Sequence, residues 1–221
     1  MHILVLIAGT NDPSNSALLA QHFTAGLRKV PDVSVTTIRM KDLSLEQFSL
    51  KHYDGTTPEE SDFRRLREEM HNAHGLVIAS PVWNFSVPAH LKNAIDRMGS
   101  FGLDATRSRG TLKGLPFYLL FTGGAPVAAW KGMLARTTSH IVHVLQYFGA
   151  THCGTHFEGS CTPARGVFGL VVDKRPASLT HMEEEGACFG RLAATYAATG
   201  KLPAKKSLLT KCVAILQKLQ R

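Results

Sequence analysis

Short, uninterrupted apolar runs alternate along this chain with segments whose apolar residues recur every three or four positions. Ile3–Ala8 is the first run, closed by Gly9. Beyond it Leu18, Leu19, His22, Phe23 and Leu27 share one face of a helical repeat. Val33–Ile38 is rich in β-branched residues and predicts a second strand. Residues 41–58 are polar and turn-rich, which predicts a long loop. Pro58 then predicts the first turn of a helix, with Glu59 and Glu60 where negative charge suits the helix dipole. Phe63, Leu66, Met70 and Ala73 form the stripe this helix buries, and Gly75 predicts its end. Leu76–Ala79 is a third strand, followed by a loop over 80–86 and a helix from Val87–Pro88 with Leu91, Ala94, Ile95 and Met98 inward. After a loop over 99–113, Leu115–Thr122 predicts the fourth strand and Gly123–Pro126 its exit turn. One long helix is expected from about Val127 to Phe148 and a fifth strand over Thr151–Phe157. Residues 159–177 are irregular, and a last helix spans about Ser178–Thr199.

Buried strands separated by helices predict a parallel sheet covered on both faces. Right-handed crossovers restrict the topology, and five strands fit the doubly wound, flavodoxin-like order 2-1-3-4-5 in a three-layer α/β sandwich. One domain over residues 1–200 accounts for the pattern, with an extension over 201–221. Ligands of such folds bind beyond the carboxyl ends of the strands. The loops after strands one, three and four therefore carry the candidate chemistry.

Composition narrows the class. A chain of 221 residues with 44% apolar and 19% charged residues can bury one sizeable core, which excludes wholesale disorder. No apolar run approaches the roughly 18 residues of a membrane span, and Ile3–Ala8 lacks the basic flank of a leader. Cys153, Cys161, Cys188 and Cys212 form neither a CxxC pair nor a zinc or disulfide spacing, so reduced thiols in a cytoplasmic protein are expected. The eleven histidines, His140/His143 and His152/His156 among them, are expected as scattered surface or core residues, with no metal site. Net charge is +8, yet residues 201–221 hold six of the 25 Lys and Arg and no acid. The rest is nearly balanced, which argues against nucleic acid as a partner.

Three loops remain. Gly9–Ala20 joins a buried strand to a helix and clusters Thr10, Asn11, Ser14, Asn15 and Ser16. Backbone N–H groups at a helix start, with hydroxyl donors, can hold a phosphate without a lysine. Ser14 or Asn15 can equally cap the helix. In Ser80–Phe85, Pro81 stiffens the strand exit, and Val82, Trp83, Asn84 and Phe85 sit outside the sheet. Aromatic and amide groups there suit a flat heteroaromatic ligand, or Trp83 packs for stability. The turn Thr122, Gly123, Gly124 lets a backbone approach a ligand closely, or is a plain strand-to-helix turn.

Pro81, Trp83, Asn84, Ser86, Pro88, Leu91, Lys92, Asn93, Ile95 and Asp96 stand at the spacing P-x-[YW]-N-x-S-x-P-x-x-L-K-N-x-[IL]-D. This stretch resembles the signature of the NADPH-dependent FMN reductase family of flavodoxin-like flavoproteins. Gly9, Thr10, Ser14, Asn15 and Ser16 resemble a short form of that family's phosphate loop. The arginine usual in that loop is absent, and Asn11 and Asp12 stand in its region. The resemblance covers roughly residues 1–198 and is most specific over Ser80–Asp96.

It implies an FMN-dependent NAD(P)H oxidoreductase that passes a hydride from NADPH or NADH to bound flavin and on to a quinone, flavin or similar small acceptor. A non-enzymatic flavin-binding electron carrier or regulatory module on the same fold is the alternative. The implied contacts are Thr10, Asn11, Ser14, Asn15 and Ser16 at the phosphate, Pro81, Val82, Trp83, Asn84 and Phe85 at the ring, and Thr122, Gly123 and Gly124 at the pyrimidine end. Backbone N–H groups of Gly123 and Gly124 would stabilise charge on the reduced ring. Lys92 and Asn93 are expected to brace the aromatic loop from the following helix. No catalytic acid or base stands out. A homodimer or homotetramer is implied as well. Arg107 and Arg109 can meet an NADPH 2′-phosphate or be solvated loop charges. In the extension, Leu208, Leu209, Cys212, Val213, Leu216 and Leu219 share a helical face, which predicts a basic amphipathic C-terminal helix. It can dock on an anionic membrane surface, bind a partner groove, or pack on its own domain or a sister subunit.

Overall fold

Five parallel strands form one sheet in the computed structural model of the chain, which describes residues 1–54, 57–164 and 166–203. They are β1 (His2–Ile7), β2 (Ser34–Arg39), β3 (Gly75–Pro81), β4 (Pro116–Thr122) and β5 (Thr151–Glu158), in the order β2-β1-β3-β4-β5. This is the flavodoxin-like order expected from the alternating pattern. The central strands β3 and β4 bury nearly every side chain, whereas the edge strands β2 and β5 are largely half-exposed or exposed.

Both faces are covered because both carry apolar residues. Helices α1 (Asn15–Leu27) and α6 (Pro176–Thr199) pack Leu19, Phe23, Leu27, Met182 and Phe189 against Ile3, Val5, Val77 and Leu120. Phe23 lies 4.9 Å from the Tyr118 ring and 5.9 Å from that of Phe189; burying one such ring stabilises by about 1.5–3 kcal/mol. The two helices touch backbone to backbone. A Cβ at Gly26 would meet the Glu183 carbonyl, and one at Gly186 the Phe23 carbonyl, so the pairing requires glycine at both. On the opposite face, α2 (Ser61–Asn72), α3 (Ala89–Gly102) and α5 (Ala135–Tyr147) bury Phe63, Leu66, Leu91, Ile95, Ile141 and Leu145 against Leu4, Leu6, Ile78 and Leu119.

Three expectations are corrected. Helix α2 begins at Ser61, not Pro58, and Glu60 stands at its cap in an extended conformation. The Glu60 carboxylate accepts from both terminal nitrogens of Arg97 on α3 and from the Glu46 N–H, while Glu59 pairs with Arg67 at 2.9 Å. Long-range ion pairing thus outweighs the local preference of acids for a first turn. Gly75 does not end α2: the Ala73 N–H closes that helix on Met70, and Gly75 opens β3 opposite Ile3. The single helix expected over 127–148 is three pieces: α4 (Val127–Ala129), a π turn at Trp130–Leu134, and α5. A π turn takes up an extra residue and re-phases the helix. Here it begins at buried Trp130, which stacks on Phe157 at 4.2 Å and 6°.

The loop over 41–58 contains two short 3-10 turns, Met40–Asp42 and Leu50–Tyr53. No helix among the described residues is long and apolar enough to cross a membrane. The amphipathic helix expected over 205–221 lies outside the described residues.

Candidate functional site

β1, β3 and β4 end side by side, with Ile7 opposite Ala79 and Pro81 opposite Thr122. The three loops that leave these ends therefore meet above the sheet. They line an open cleft of about 140 Å³. Thr10, Asn11, Ser14, Asn15 and Ser16 line one end, Pro81, Val82 and Trp83 the middle, and Thr122, Gly123 and Gly124 the other end. Asn84 and Phe85 line a second hollow of about 250 Å³, which shares Val82, Gly123 and Gly124 with the first. All thirteen residues implied by the sequence thus gather at one sheet edge.

The Gly9–Ser16 end is built around the start of α1. Ser14 caps that helix through its Oγ, which accepts from the Ala17 N–H at 3.3 Å, and it lies 3.0 Å from the Ser16 Oγ. The amides of Asn15 and Ser16 open the helix and have no intrahelical acceptor. Gly9 leaves both hydroxyls in place, because a Cβ there would lie 2.6 Å from the Ser14 Oγ and closer still to the Ser16 Oγ. Asp12 is drawn outward by Arg39 at 3.2 Å and Lys41 at 3.1 Å. Hydrogen bonds from Lys41 and Arg39, with their charge, hold its carboxyl below the ordinary carboxylate range.

Asn15 does something local patterning does not reveal. Its amide nitrogen donates to the Gly169 carbonyl at 2.8 Å, and its oxygen accepts from the amides of Val171 at 2.9 Å and Val172 at 3.1 Å. The side chain thereby ties the segment after β5 to the start of α1. That segment brings Cys161, Thr162, Phe168 and Gly169 into the cleft wall, four residues that sequence reasoning missed. They lie where periodicity is absent. The one available signal was topological, since a loop leaving β5 opens at the same edge. Cys161 is buried, and burial pushes its thiol up to about 11.

The middle of the cleft is a tight reversal. The N–H of Trp83 donates to the Ser86 carbonyl at 2.8 Å and the N–H of Ser86 to the Trp83 carbonyl at 2.9 Å. Asn84 (φ 49°) and Phe85 (φ 64°) both stand in the left-handed region, as a type I′ turn requires. For a phenylalanine this conformation costs on the order of 1 kcal/mol or more. The turn holds Trp83 (38% exposed) and Phe85 (68% exposed) at the surface instead of in the core, so Trp83 is not a packing residue.

At the far end, the Val82 N–H donates to the Thr122 carbonyl at 2.7 Å and joins the second loop to the third. The Gly123 N–H donates to the Glu158 carbonyl at 3.0 Å, so it is engaged by the protein. Gly124 lines the cleft, and its N–H has no acceptor among the described residues.

Other sequence candidates serve the fold. Lys92 pairs with Asp96 one turn away at 2.6 Å. Asn93 donates to the Glu46 carbonyl at 3.0 Å and accepts from the Phe48 N–H at 2.6 Å. It braces the loop over 46–48, not the aromatic loop. Arg107 and Arg109 lie at the opposite edge, because α3 returns the chain to the start of β4. Arg107 donates to the carbonyls of Tyr53, Gly99 and Ser100, with its guanidinium 4.7 Å above the Tyr53 ring. It is neither near a ligand in the cleft nor a solvated charge.

A family model described as NADPH-dependent FMN reductase matches residues 1–159. An FMN-dependent NADH:quinone oxidoreductase of Bordetella petrii is 29% identical over 170 residues, 66% of this chain and 78% of that protein. A protein of the same description from Mycoplasma pneumoniae is 31% identical over 142 residues, 58% of this chain and 70% of its own. Among solved structures, an NAD(P)H:quinone oxidoreductase from Methanothermobacter marburgensis superposes with a TM-score of 0.67 at 19% identity, covering 85% of this chain and 96% of that one. An FMN-dependent NADH-azoreductase from Bacillus anthracis, solved with FMN, gives 0.61 at 15% identity, covering 86% and 100%.

Proposed function

The chain belongs to the NADPH-dependent FMN reductase family, and from that premise we propose that it holds FMN in the cleft above β1, β3 and β4 and moves electrons from NAD(P)H to a small quinone-type acceptor. The observation that carries this is the order of chemistry along one cleft: paired hydroxyls at a helix start, an aromatic turn, and a glycine turn whose Gly124 amide has no acceptor among the described residues. The fit is close at Gly9, where a Cβ would collide with the hydroxyl oxygens of Ser14 and Ser16.

FMN held there would supply the redox chemistry, hydride acceptance from NAD(P)H and electron delivery to the acceptor. The residues of this chain bind and orient it. The hydroxyls of Ser14 and Ser16 and the amides that open α1 hold the phosphate, with the helix dipole in support. No lysine or arginine is needed in that arrangement, and the one nearby acid, Asp12, is neutralised by Arg39 and Lys41. Trp83 and Asn84 border the ring from a turn whose backbone is fixed by two hydrogen bonds. Gly124 offers a preorganised donor where negative charge gathers on reduction. Gly123 contributes by close approach alone, since its amide is engaged by Glu158. The names of the Bordetella and Mycoplasma relatives favour a quinone as acceptor. Exposed Phe85 and Phe168 at the mouth of the cleft favour a second copy of the chain covering it, as a homodimer or homotetramer.

Titration of the purified chain with FMN, followed by flavin fluorescence quenching, and oxidation of NADH and NADPH with a soluble quinone test the proposal. Binding with quinone-dependent turnover is expected. Absence of binding refutes it, and binding without direct NAD(P)H oxidation assigns the chain to electron carriage instead.

A further inference from the structure

Beyond β5 the chain is gripped by one guanidinium. Arg175 stands immediately before Pro176, the first residue of α6. One of its terminal nitrogens donates to Glu158 Oε1 and to the Gly159 carbonyl at 2.7 Å, and the other to the Ser160 carbonyl at 2.8 Å. Three consecutive residues are thus collected by one side chain, a task suited to the planar fork of arginine and not to lysine. Glu158 is itself nearly buried, and its carboxylate also receives His156 Nε2 at 3.1 Å and Ser178 Oγ at 3.2 Å.

The same three residues, with Cys161, form the rail on which the glycine turn rests. The Glu158 carbonyl accepts from the Gly123 N–H at 3.0 Å, the Ser160 N–H donates to the Ala125 carbonyl at 2.9 Å, and the Cys161 N–H donates to the Gly123 carbonyl at 2.9 Å. Ser160 adopts a φ of 52°, a left-handed conformation held from one side by Ala125 and from the other by Arg175. Gly124 is therefore the apex of a turn whose two neighbours are both fastened to residues 158–161. Arg175 does not line the cleft; the turn it supports does.

We propose that Arg175 is a positioning residue for the flavin ring: by clamping Glu158, Gly159 and Ser160 it fixes the rail that holds the Gly123–Ala125 turn and presents the Gly124 amide to the cleft. This rests on the proposed function. The donor matters most to the reduced ring, which carries negative charge, and least to the oxidised one. Loss of the clamp therefore weakens binding of reduced flavin more than oxidised flavin. It acts alike on FMN and riboflavin, because the phosphate end is held by other residues.

The experiment compares the full chain with Arg175→Met and Arg175→Lys by titration with oxidised and reduced FMN and riboflavin, and by the two-electron potential of the bound flavin. For Arg175→Met the affinity for reduced relative to oxidised flavin falls about tenfold, which is about 30 mV towards negative potential for a two-electron couple. Arg175→Lys lies between it and the wild type. A lower melting temperature with an unchanged potential and unchanged affinity ratio overturns the proposal and leaves Arg175 a purely structural residue. Should Arg175→Met not fold, Glu158→Gln, which retains the backbone carbonyl, carries the test: a smaller shift of the same sign is expected, and none overturns it. A wild-type chain that binds neither flavin overturns the proposed function and this inference together.

Discussion

Replacing Gly9 by alanine tests the phosphate end of the cleft with one methyl group. The new Cβ would lie 2.6 Å from the Ser14 Oγ and closer to the Ser16 Oγ, so both hydroxyls must rotate away. The backbone at Gly9 is not left-handed, so the perturbation is steric alone. Displacing Ser14 forfeits its cap on α1, typically about 1 kcal/mol. Overpacking adds about 1 kcal/mol, the low end of its range, because the obstructing atoms are the rotatable ends of side chains. A total near 2 kcal/mol lowers the melting temperature by about 4–8 °C in a domain of this size. The larger effect is on binding. A hydrogen bond to a charged group is worth about 1.5–3 kcal/mol. Losing one or both hydroxyls weakens FMN by about ten- to a hundredfold or more. Riboflavin, which has no phosphate, loses less than about threefold. Fluorescence-quenching titrations of both ligands against wild type and Gly9→Ala supply the comparison. Equal losses for the two ligands, or none for FMN, would refute the assignment of the Gly9–Ser16 end to a phosphate.

Trp83→Ala removes a half-exposed indole at the middle of the cleft; FMN and riboflavin should both weaken by about fivefold, from about 1 kcal/mol of ring contact, with little change in unfolding midpoint. Losses confined to FMN would contradict a ring contact. Arg97→Met removes the fork that holds the partly exposed Glu60 carboxylate and the guanidinium 4.2 Å above the Phe63 ring; urea unfolding should register a loss of about 1–3 kcal/mol, and no loss would show the pair to be incidental. Hydrogen bonding from Arg97 holds Glu60 at about 2, and at Glu158 the upward push of burial is overcome by His156, Arg175 and Ser178, again to about 2. Both folded values lie below the ordinary 4.5, so this stability is complete above that pH and is lost as pH falls through it towards 2. Urea midpoints measured from pH 7 to pH 2.5 should be flat at first and then decline, and a decline beginning above pH 6 would point to other groups.

Much of the architecture is written locally. The runs Ile3–Ala8 and Leu115–Thr122 contain almost nothing that tolerates water, so they predict strands buried on both faces, as β1 and β4 are. The clusters of small hydroxyl residues, aromatics and glycines after β1, β3 and β4 are legible for the same reason. Their composition is unusual for a loop, and the parallel topology assigns all three to one edge. Element ends were less legible where a distant partner intervened. Glu60 left the first turn of α2 for Arg97, and Trp130 left a regular helix to stack on Phe157.

What the sequence by itself determined, then, is the alternation of strand and helix, the order of the sheet, and three loops with ligand-suited chemistry. Each follows from short-range periodicity and side-chain type. Only the tertiary structure decided that Asn15 is turned to hold residues 169–172, that Gly123 gives its amide to Glu158 while Gly124 keeps its own, and that Arg107 lies at the far edge. The physical reason is the reach of the interactions. A hydrogen bond between residues about 150 positions apart leaves no periodic trace in either segment, and exists only once the sheet has brought their ends together.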